Sequence, residues 1–436
     1  MKSLRTQFVA LTLLAAPALT VAQGGGTTLR TGLTYNPNDM PAVAVVPVKG
    51  GPYADSLAVI VQRDLQYSDR LTMLQLNAGD AALFYDAFKG LAYDFFTGLG
   101  ARVVVEMTAT QSRLNVKVHE VARHQAIATI DFAMPPASLS RDWRLAVHTA
   151  SDSIQAVITN VRGIAATRIA YVRGQTLRVI DSDGAFDLLV PADSNSLSPA
   201  WNPSGDHLVY STYGVGSRII ATDLATGQQT VIQKEIRNTQ LTTPIYAPDG
   251  NSIVYARSDD DGWSTLWRIP LVGGGYPQLI ERGKGISGSP SFSPDGRRIA
   301  FTTDRLGHNE VYIIDADGTN PQWITQFGGD LNEELYRAEP DWSPDGVTVA
   351  FQSRVAGLFQ IMSVNLRDNS SKRLTDAGEN ESPSWAADGR HLVFTSSRSG
   401  AGQLWIMDTQ SGVTRQLTNA SGARYGAWSP RLTYRP

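Results

Sequence analysis

One eight-residue phrase, repeated along the second half of the chain, constrains the fold more than any other feature. It reads Ser198-Pro-Ala-Trp-Asn-Pro-Ser-Gly205, Thr243-Pro-Ile-Tyr-Ala-Pro-Asp-Gly250, Ser289-Pro-Ser-Phe-Ser-Pro-Asp-Gly296, Glu339-Pro-Asp-Trp-Ser-Pro-Asp-Gly346 and Ser382-Pro-Ser-Trp-Ala-Ala-Asp-Gly389. A shortened copy, Tyr425-Gly-Ala-Trp-Ser-Pro430, closes the sequence. Successive copies begin 45, 46, 50, 43 and 43 residues apart, room for four short antiparallel strands per unit. The chemistry of the phrase is a tight turn. Proline presets φ, aspartate bonds its own backbone locally, and glycine accepts the positive φ that leads into the next strand.

After each turn comes an apolar strand, Leu208-Val-Tyr, Ile253-Val-Tyr, Ile299-Ala-Phe, Val349-Ala-Phe or Leu392-Val-Phe, and then another such as Glu310 to Asp315. Closing segments such as Arg373-Leu-Thr375 and Gln416-Leu-Thr418 supply an outermost strand. A unit this small cannot bury both of its faces, so the units must stack in a ring. Ile169 to Val172, Leu177 to Asp181 and Leu188 to Val190 supply three strands with no inner partner, and Ala427-Trp428-Ser-Pro430 is an inner strand without a unit. Joining the two gives six blades and no free sheet edge.

The 436 residues exceed what one core organises, and a second domain precedes the repeats. Between 37 and 163 the hydrophobic period switches between two and 3.6, as in an α/β domain. Ala42 to Val48 reads as a buried strand. Tyr53 to Tyr67 is a helix with Leu57, Ile60, Val61 and Leu65 on one face, and Phe84, Phe88, Leu91, Ala92 and Phe95 predict another. Ala101 to Met107, Arg113 to Glu120 and Gln125 to Phe132 predict a meander. Ser140 caps a helix with a stripe of Trp143, Val147, Ala150, Ile154, Val157 and Val161. His148 falls beside that stripe, where it predicts a contact between domains.

Lys2 and Arg5 precede an apolar run from Phe8 to Leu19, and Thr20-Val-Ala22 stands before Gln23. This is the pattern of a signal peptide, residues 1–22, too short and Ala-rich for a membrane span. Export to the periplasm is the expectation. With no cysteine, disulfides, thiolate nucleophiles and Cys-based zinc sites are excluded. Lys plus Arg number 38 against 41 acidic residues, which leaves no positive excess for a nucleic-acid partner.

No Gly-x-Ser-x-Gly elbow accompanies the repeats, and no domain remains to carry one. His207, His308 and His391 lie in the propeller but on different blades. His207 and His391 occupy equivalent places after the glycine turn and are expected to face solvent. Asp181-Ser-Asp183-Gly184, Asp259-Asp-Asp-Gly262 and Asp315-Ala-Asp317-Gly318 resemble calcium loops only in part, and none continues to the distal Glu. Hairpin turns explain them. The reading is a non-enzymatic monomer with no catalytic residue, cofactor or metal. An exported carbohydrate-active propeller, lyase-like, is the alternative, and a propeller scaffold with another envelope partner is a third.

The repeat alone resembles many propellers, prolyl oligopeptidase propellers and oligogalacturonate lyases among them. The order signal peptide, α/β domain and six repeats narrows it, with Leu145-Ala-Val-His148-Thr-Ala-Ser-Asp152 running through Arg162-Gly163 to Thr167-Arg-Ile-Ala-Tyr171. That junction, with Ala427-Trp428-Ser-Pro430, resembles the TolB family of the Tol-Pal system over the whole mature chain. The resemblance implies a scaffold that binds the lipoprotein Pal through the propeller and TolA through its N-terminal segment, maintaining the outer membrane at constriction.

Propellers bind with the loops that join one blade's outer strand to the next blade's inner strand. Here those loops are expected to hold Gln240, Thr243, Gly288, Ser289, Glu339, Glu379, Asn380, Glu381, Arg424 and Tyr425, the candidate Pal contacts. Segment 23–36 carries Leu29, Arg30, Thr31, Leu33 and Tyr35, the candidate TolA contacts. Leu29, Thr31, Leu33 and Tyr35 would share one face of an extended strand that adds to a partner's sheet. The segment departs from the family in having no acidic residue beside Leu29-Arg30.

Overall fold

The structure is a computed structural model and describes residues 39–87, 90–136, 139–214, 216–234, 239–258, 261–281, 283, 285–325 and 333–434. The expected signal peptide and the segment 23–36 lie outside the described residues.

The first layer is a five-stranded sheet. Ala42–Val45 pairs in parallel with Thr72–Leu74 on one side and with Val103–Ala109 on the other, and Arg113–Glu120 and Gln125–Ala133 extend it as a meander. Two helices, α1 (Ala54–Gln66) and Arg141–Thr159, cover one face. Their stripes meet alternate strand residues: Leu57, Ile60, Val61, Leu65, Trp143, Val147, Ala150 and Ile154 pack on Val43, Val45, Val105, Met107, Leu114, Val116 and Val118. The Ser140 hydroxyl accepts from Trp143 N–H at 3.2 Å, so the longer helix has the cap its sequence predicts.

The helix expected through Phe84 to Phe95 does not form. The chain there runs through a 3-10 turn at Ala78–Leu83, a short hairpin of Tyr85–Asp86 with Gly90–Leu91, and helix α2 at Tyr93–Gly98. Gly90 at φ +80° reverses the chain where a helix would have continued. Phe84, Leu91 and Phe96 are nevertheless buried together on the second face of the sheet, with Phe95 packed beside them. The helical spacing marks residues that share a core, although broken backbone brings them there. The Arg141–Thr159 helix is therefore α3.

Six four-stranded sheets follow. Blade one joins the two ends of the propeller: Ala423–Trp428 is its inner strand, paired antiparallel with Arg168–Arg173, and Thr176–Asp181 and Leu188–Leu189 lie outside. Blades two to six begin with inner strands Ser196–Trp201, Leu241–Tyr246, Ser287–Phe292, Glu333–Trp342 and Asn380–Trp385. Each inner strand packs on the next around the ring.

The repeated phrase performs two jobs. At its end, Ser293 O accepts from Gly296 N–H at 2.8 Å and Asp295 Oδ1 from Arg297 N–H at 3.1 Å, closing the turn with Gly296 at φ +70°. At its start, the first residue of the phrase adopts positive φ in every blade: Ser198 49°, Thr243 46°, Ser289 48°, Glu339 52°, Ser382 53° and Tyr425 56°, the first five of them before proline. The ladder skips there, as between Leu197 and Ala200 or Gly288 and Ser291. Proline cannot donate to a ladder, and a bulge takes it out of register. Tyr425 keeps the bulge although glycine follows it.

The aromatic between the two jobs rivets blades together. Trp201 Nε1 donates to Ala427 O at 2.9 Å and Trp385 Nε1 to Asp341 O at 3.2 Å, each in the preceding blade, while Trp428 Nε1 donates to Thr167 Oγ1 at 2.8 Å and ties the two chain ends within blade one. The chain then continues past the closing strand toward the first domain. Arg431 donates to Gly163 O at 2.9 Å, and Tyr434 packs against the α/β core.

Removing residues 423–434 should therefore bare the edge of Arg168–Arg173 and the facing sides of blades two and six. The expected result in calorimetry is loss of a single cooperative propeller transition. A wild-type melting curve would contradict ring closure by this strand.

Candidate functional site

Two surfaces concentrate polar side chains, one at each end of the ring. The first lies where the inner strands begin. The candidate contacts there are not in connecting loops: apart from Gln240 and Glu379, they sit on the inner strands around the bulge. The bulge carries the ladder past the proline, so each inner strand starts earlier than the loop reading assumes.

Neighbouring blades hold these bulges in place. Ser289 N–H donates to Thr243 Oγ1 at 3.1 Å, Glu339 N–H to Thr302 Oγ1 at 2.9 Å, and Ser382 N–H to Gln352 Oε1 at 3.0 Å. Gln240 ties its own blade to the preceding hairpin, its amide exchanging bonds with Gly214. Asn380 is wholly buried, donating to Gln360 Oε1 at 2.9 Å and accepting from Arg398 at 3.0 Å, so it shapes the rim from beneath.

Blades five, six and one bring Glu339, Glu379, Glu381, Arg424 and Tyr425 within electrostatic reach of one another. The Ser382 hydroxyl donates to Glu339 Oε2 at 2.6 Å, and the Arg424 guanidinium lies 5.3 Å from the Tyr425 ring centre. Burial and the neighbouring Glu381 charge hold the Glu339 carboxyl above its usual range, and burial and Glu379 do the same to Glu381. The Tyr425 hydroxyl is pushed up by burial and the same carboxylates. This sector is an acidic, partly desolvated rim with one exposed arginine.

The second surface is at the opposite end, where α1, α3 and the turn between Tyr67 and Arg70 meet blades one and six. His148 Nδ1 lies 2.7 Å from Asp64 Oδ2, and its Nε2 lies 3.8 Å from Asp183 Oδ2 of the blade-one turn. Arg63 and Arg144 both donate to that Asp183 carboxylate. Across the same face, His391 Nε2 lies 3.1 Å from Asp69 Oδ2 and its Nδ1 2.8 Å from Asp388 Oδ2. Arg390 donates to Asp69 O at 2.6 Å and to both oxygens of Asp408, and Arg415 stacks 4.1 Å from the Tyr67 ring centre.

The comparisons with known proteins fit this architecture. Residues 156–432 match the family described as TolB beta propeller domain. The chain is 30% identical to the Tol-Pal system protein TolB of Bordetella parapertussis over 72% of its own length and 71% of that protein. The chain belongs to the TolB family. The TolB of Bordetella pertussis is 30% identical over 72% of each chain. The crystal structure of TolB from Acinetobacter baumannii superposes with a TM-score of 0.77 at 26% identity, covering 91% of this chain and 98% of that one.

In this TolB-family chain the propeller histidines do not converge. His207 engages Asp206 and Asp223, His308 engages Glu310 at 3.1 Å, and His391 engages Asp69 and Asp388, each on its own blade. The expectation that His391 faces solvent is overturned: its side chain is 1% exposed, against 39% for His207 at the equivalent place in blade two. The α/β domain covers blade six there and leaves blade two open. His148 does make the interdomain contact its position predicts.

Two of the aspartate-rich turns are hairpin turns, with Gly184 N–H bonded to Asp181 O and Gly318 N–H to Asp315 O, both at 2.8 Å. The third, at Asp259, falls partly outside the described residues, as do all the candidate TolA contacts, Leu29, Arg30, Thr31, Leu33 and Tyr35. Asp64, His148 and Asp183 place ligand atoms within 4.8 Å of one another. A metal ion does not fit them, because Asp183 already balances two guanidinium groups that the ion would have to displace.

Sequence reasoning misses Asp341, the residue that binds three blades. It accepts from Ser291 Oγ at 3.0 Å in blade four and from Trp385 N–H at 2.7 Å in blade six, and burial pushes its carboxyl up to about 6 against those hydrogen bonds. Its signal in the sequence is a lone carboxylate inside a phrase that elsewhere has Ala, Ile or Ser at that position. Asp341→Ala should cost about 2–4 kcal/mol by leaving buried donors unpaired, read from denaturant unfolding. A loss below about 0.5 kcal/mol would show that the three-blade bond is not a stabilising one.

Proposed function

We propose that this protein is a non-enzymatic periplasmic scaffold of the Tol-Pal system, exported through its signal peptide. Its propeller binds Pal, its segment 23–36 binds TolA, and the two attachments maintain outer-membrane integrity and constriction during cell division. The observation that carries the reading is the match to TolB across both domains, joined to a geometry that leaves one end of the ring uncovered.

The α/β domain packs on the turns that follow the inner strands, at Asp388–His391, and on the blade-one turn at Asp183. In an antiparallel blade the beginnings of the inner strands lie at the other end. The rim carrying Glu339, Glu381, Arg424 and Tyr425 is therefore open to a partner. Its mixed charge over a rigid, bulge-fixed backbone suits a specific wet interface, in which charge complementarity selects the partner and a few central residues hold it. Gln240, Thr243, Gly288, Ser289 and Glu379 complete the proposed Pal surface, with Asn380 supporting it from below.

Glu339→Lys, Glu381→Lys and Arg424→Glu combined should weaken Pal binding by about 100-fold in calorimetric titration, with the melting curve retained. Unchanged affinity would place the Pal surface elsewhere. Deleting 23–36 behind the signal peptide should abolish TolA binding and leave Pal binding and the melting temperature as they are. Retained TolA binding would make the segment a linker.

A further inference from the structure

We propose that the contact between the α/β domain and the propeller is a proton-held clamp: two buried imidazolium groups, His148 and His391, each fasten one side of the interface by sitting between carboxylates contributed by both domains. Protonated, each histidine is a cation that two acidic groups share. Neutral, it can donate to only one of them, so the charge-assisted link that joins the two domains through it is weakened, although Asp183 keeps Arg63 and Arg144 and Asp388 keeps Arg70.

The geometry is the same on both sides of the contact. His148, on α3, has Asp64 of α1 at 2.7 Å and Asp183 of blade one at 3.8 Å. His391, on blade six, has Asp388 of its own turn at 2.8 Å and Asp69 of the first domain at 3.1 Å. Both rings are about as buried as a side chain can be, with 2% and 1% exposed. Two histidines far apart in sequence thus make equivalent links across one interface.

Other charges face them from every packed element. Around His148 stand Arg144 at 3.4 Å on its own helix, Arg63 of α1 on Asp183, and Asp181 of blade one, which Arg168 approaches at 3.3 Å and Arg141 at 3.8 Å. Arg415 of blade six donates to Ser182 O at 3.1 Å. Around His391 stand Arg390 with Asp408, Arg70 at 3.7 Å from Asp388, and Arg431 from the C-terminal segment. Burial lowers both histidines, and the Arg144 charge lowers His148 further, but Asp64 and Asp183 outweigh them at His148, and Asp388 and Asp69 raise His391. Asp152, whose carboxylate receives the linker N–H groups of Ala165 and Ala166, is pushed up to about 6 by burial.

These titrations act in one direction. Docking supplies the part of each rise that comes from the other domain, Asp183 for His148 and Asp69 for His391, and that part of the stabilisation is complete below the ordinary histidine value, near 6.5, and lost as pH climbs through the raised value. Three donors in the interface, Arg63 Nε, Arg70 Nε and Arg415 Nε, are buried without hydrogen-bond partners, a cost that opening would relieve. Such a contact can open without unfolding either core.

The absence of cysteine allows clean spin labelling. Val59→Cys on α1 and Val413→Cys on blade six place labels at exposed sites in the two domains, for pulsed dipolar spectroscopy on the full mature chain. The expected result is one narrow distance at about pH 6 that broadens toward longer values by about pH 10, with far-UV circular dichroism unchanged. His148→Gln with His391→Gln should give the broad distribution already at about pH 6 and remove its pH dependence. A wild-type distance that stays narrow across the range overturns the clamp, whether or not the double variant folds. So does a double variant that keeps the wild-type pH response, or broadening that appears only with loss of the far-UV signal.

Discussion

The pairing of Ala423–Trp428 with Arg168–Arg173 is the interaction on which the rest of the propeller depends. A four-stranded sheet has two faces and two edges to cover, and a row of six in a line would leave the first and last exposed. Joining the ends into one blade removes both defects together. It also fixes where the first domain sits. The strand that enters blade one follows α3 by a short linker, and the residues that leave it return to the α/β core through Arg431 and Tyr434. Ring closure and domain docking share the same stretch of backbone.

A consequence is that the ring has two unlike ends. One is occupied by the α/β domain through buried, charge-balanced contacts at Asp183 and Asp388. The other presents the inner-strand bulges, three of which, at Ser289, Glu339 and Ser382, are held by a hydroxyl or amide of the preceding blade at Thr243, Thr302 and Gln352. Positive φ at Ser198, Thr243, Ser289, Glu339, Ser382 and Tyr425 is unusual for residues with a Cβ, and it recurs because proline follows in five of them and the ladder must skip. The side chain at this position is free to differ between blades, which is how one backbone device can display serine, threonine, glutamate or tyrosine at a common rim.

Much of this is legible in the sequence because repetition exposes it. The turn chemistry of Ser-Pro-Asp-Gly, the blade spacing and the orphan strand at Trp428 determine the blade count without any structure. The stripes of α1 and α3 are equally plain, as is the Ser140 cap. What escapes is whatever depends on a neighbour far away in the chain. Phe84, Leu91 and Phe95 have helical spacing, yet a glycine turn delivers them to the same core. His391 and His207 are indistinguishable by position, and only the α/β domain lying over blade six buries one and spares the other. Asp341 looks like any residue of the repeat until blades four and six close around it.

The central claim is that the uncovered rim and the N-terminal segment attach one rigid ring to two different envelope proteins. The most direct measurement is an affinity pull-down from envelope extract with the intact mature chain, quantified by mass spectrometry. Membership in the TolB family and an open rim predict that Pal and TolA are both recovered in stoichiometric amounts. Recovery of neither, with another envelope protein in their place, would contradict the account.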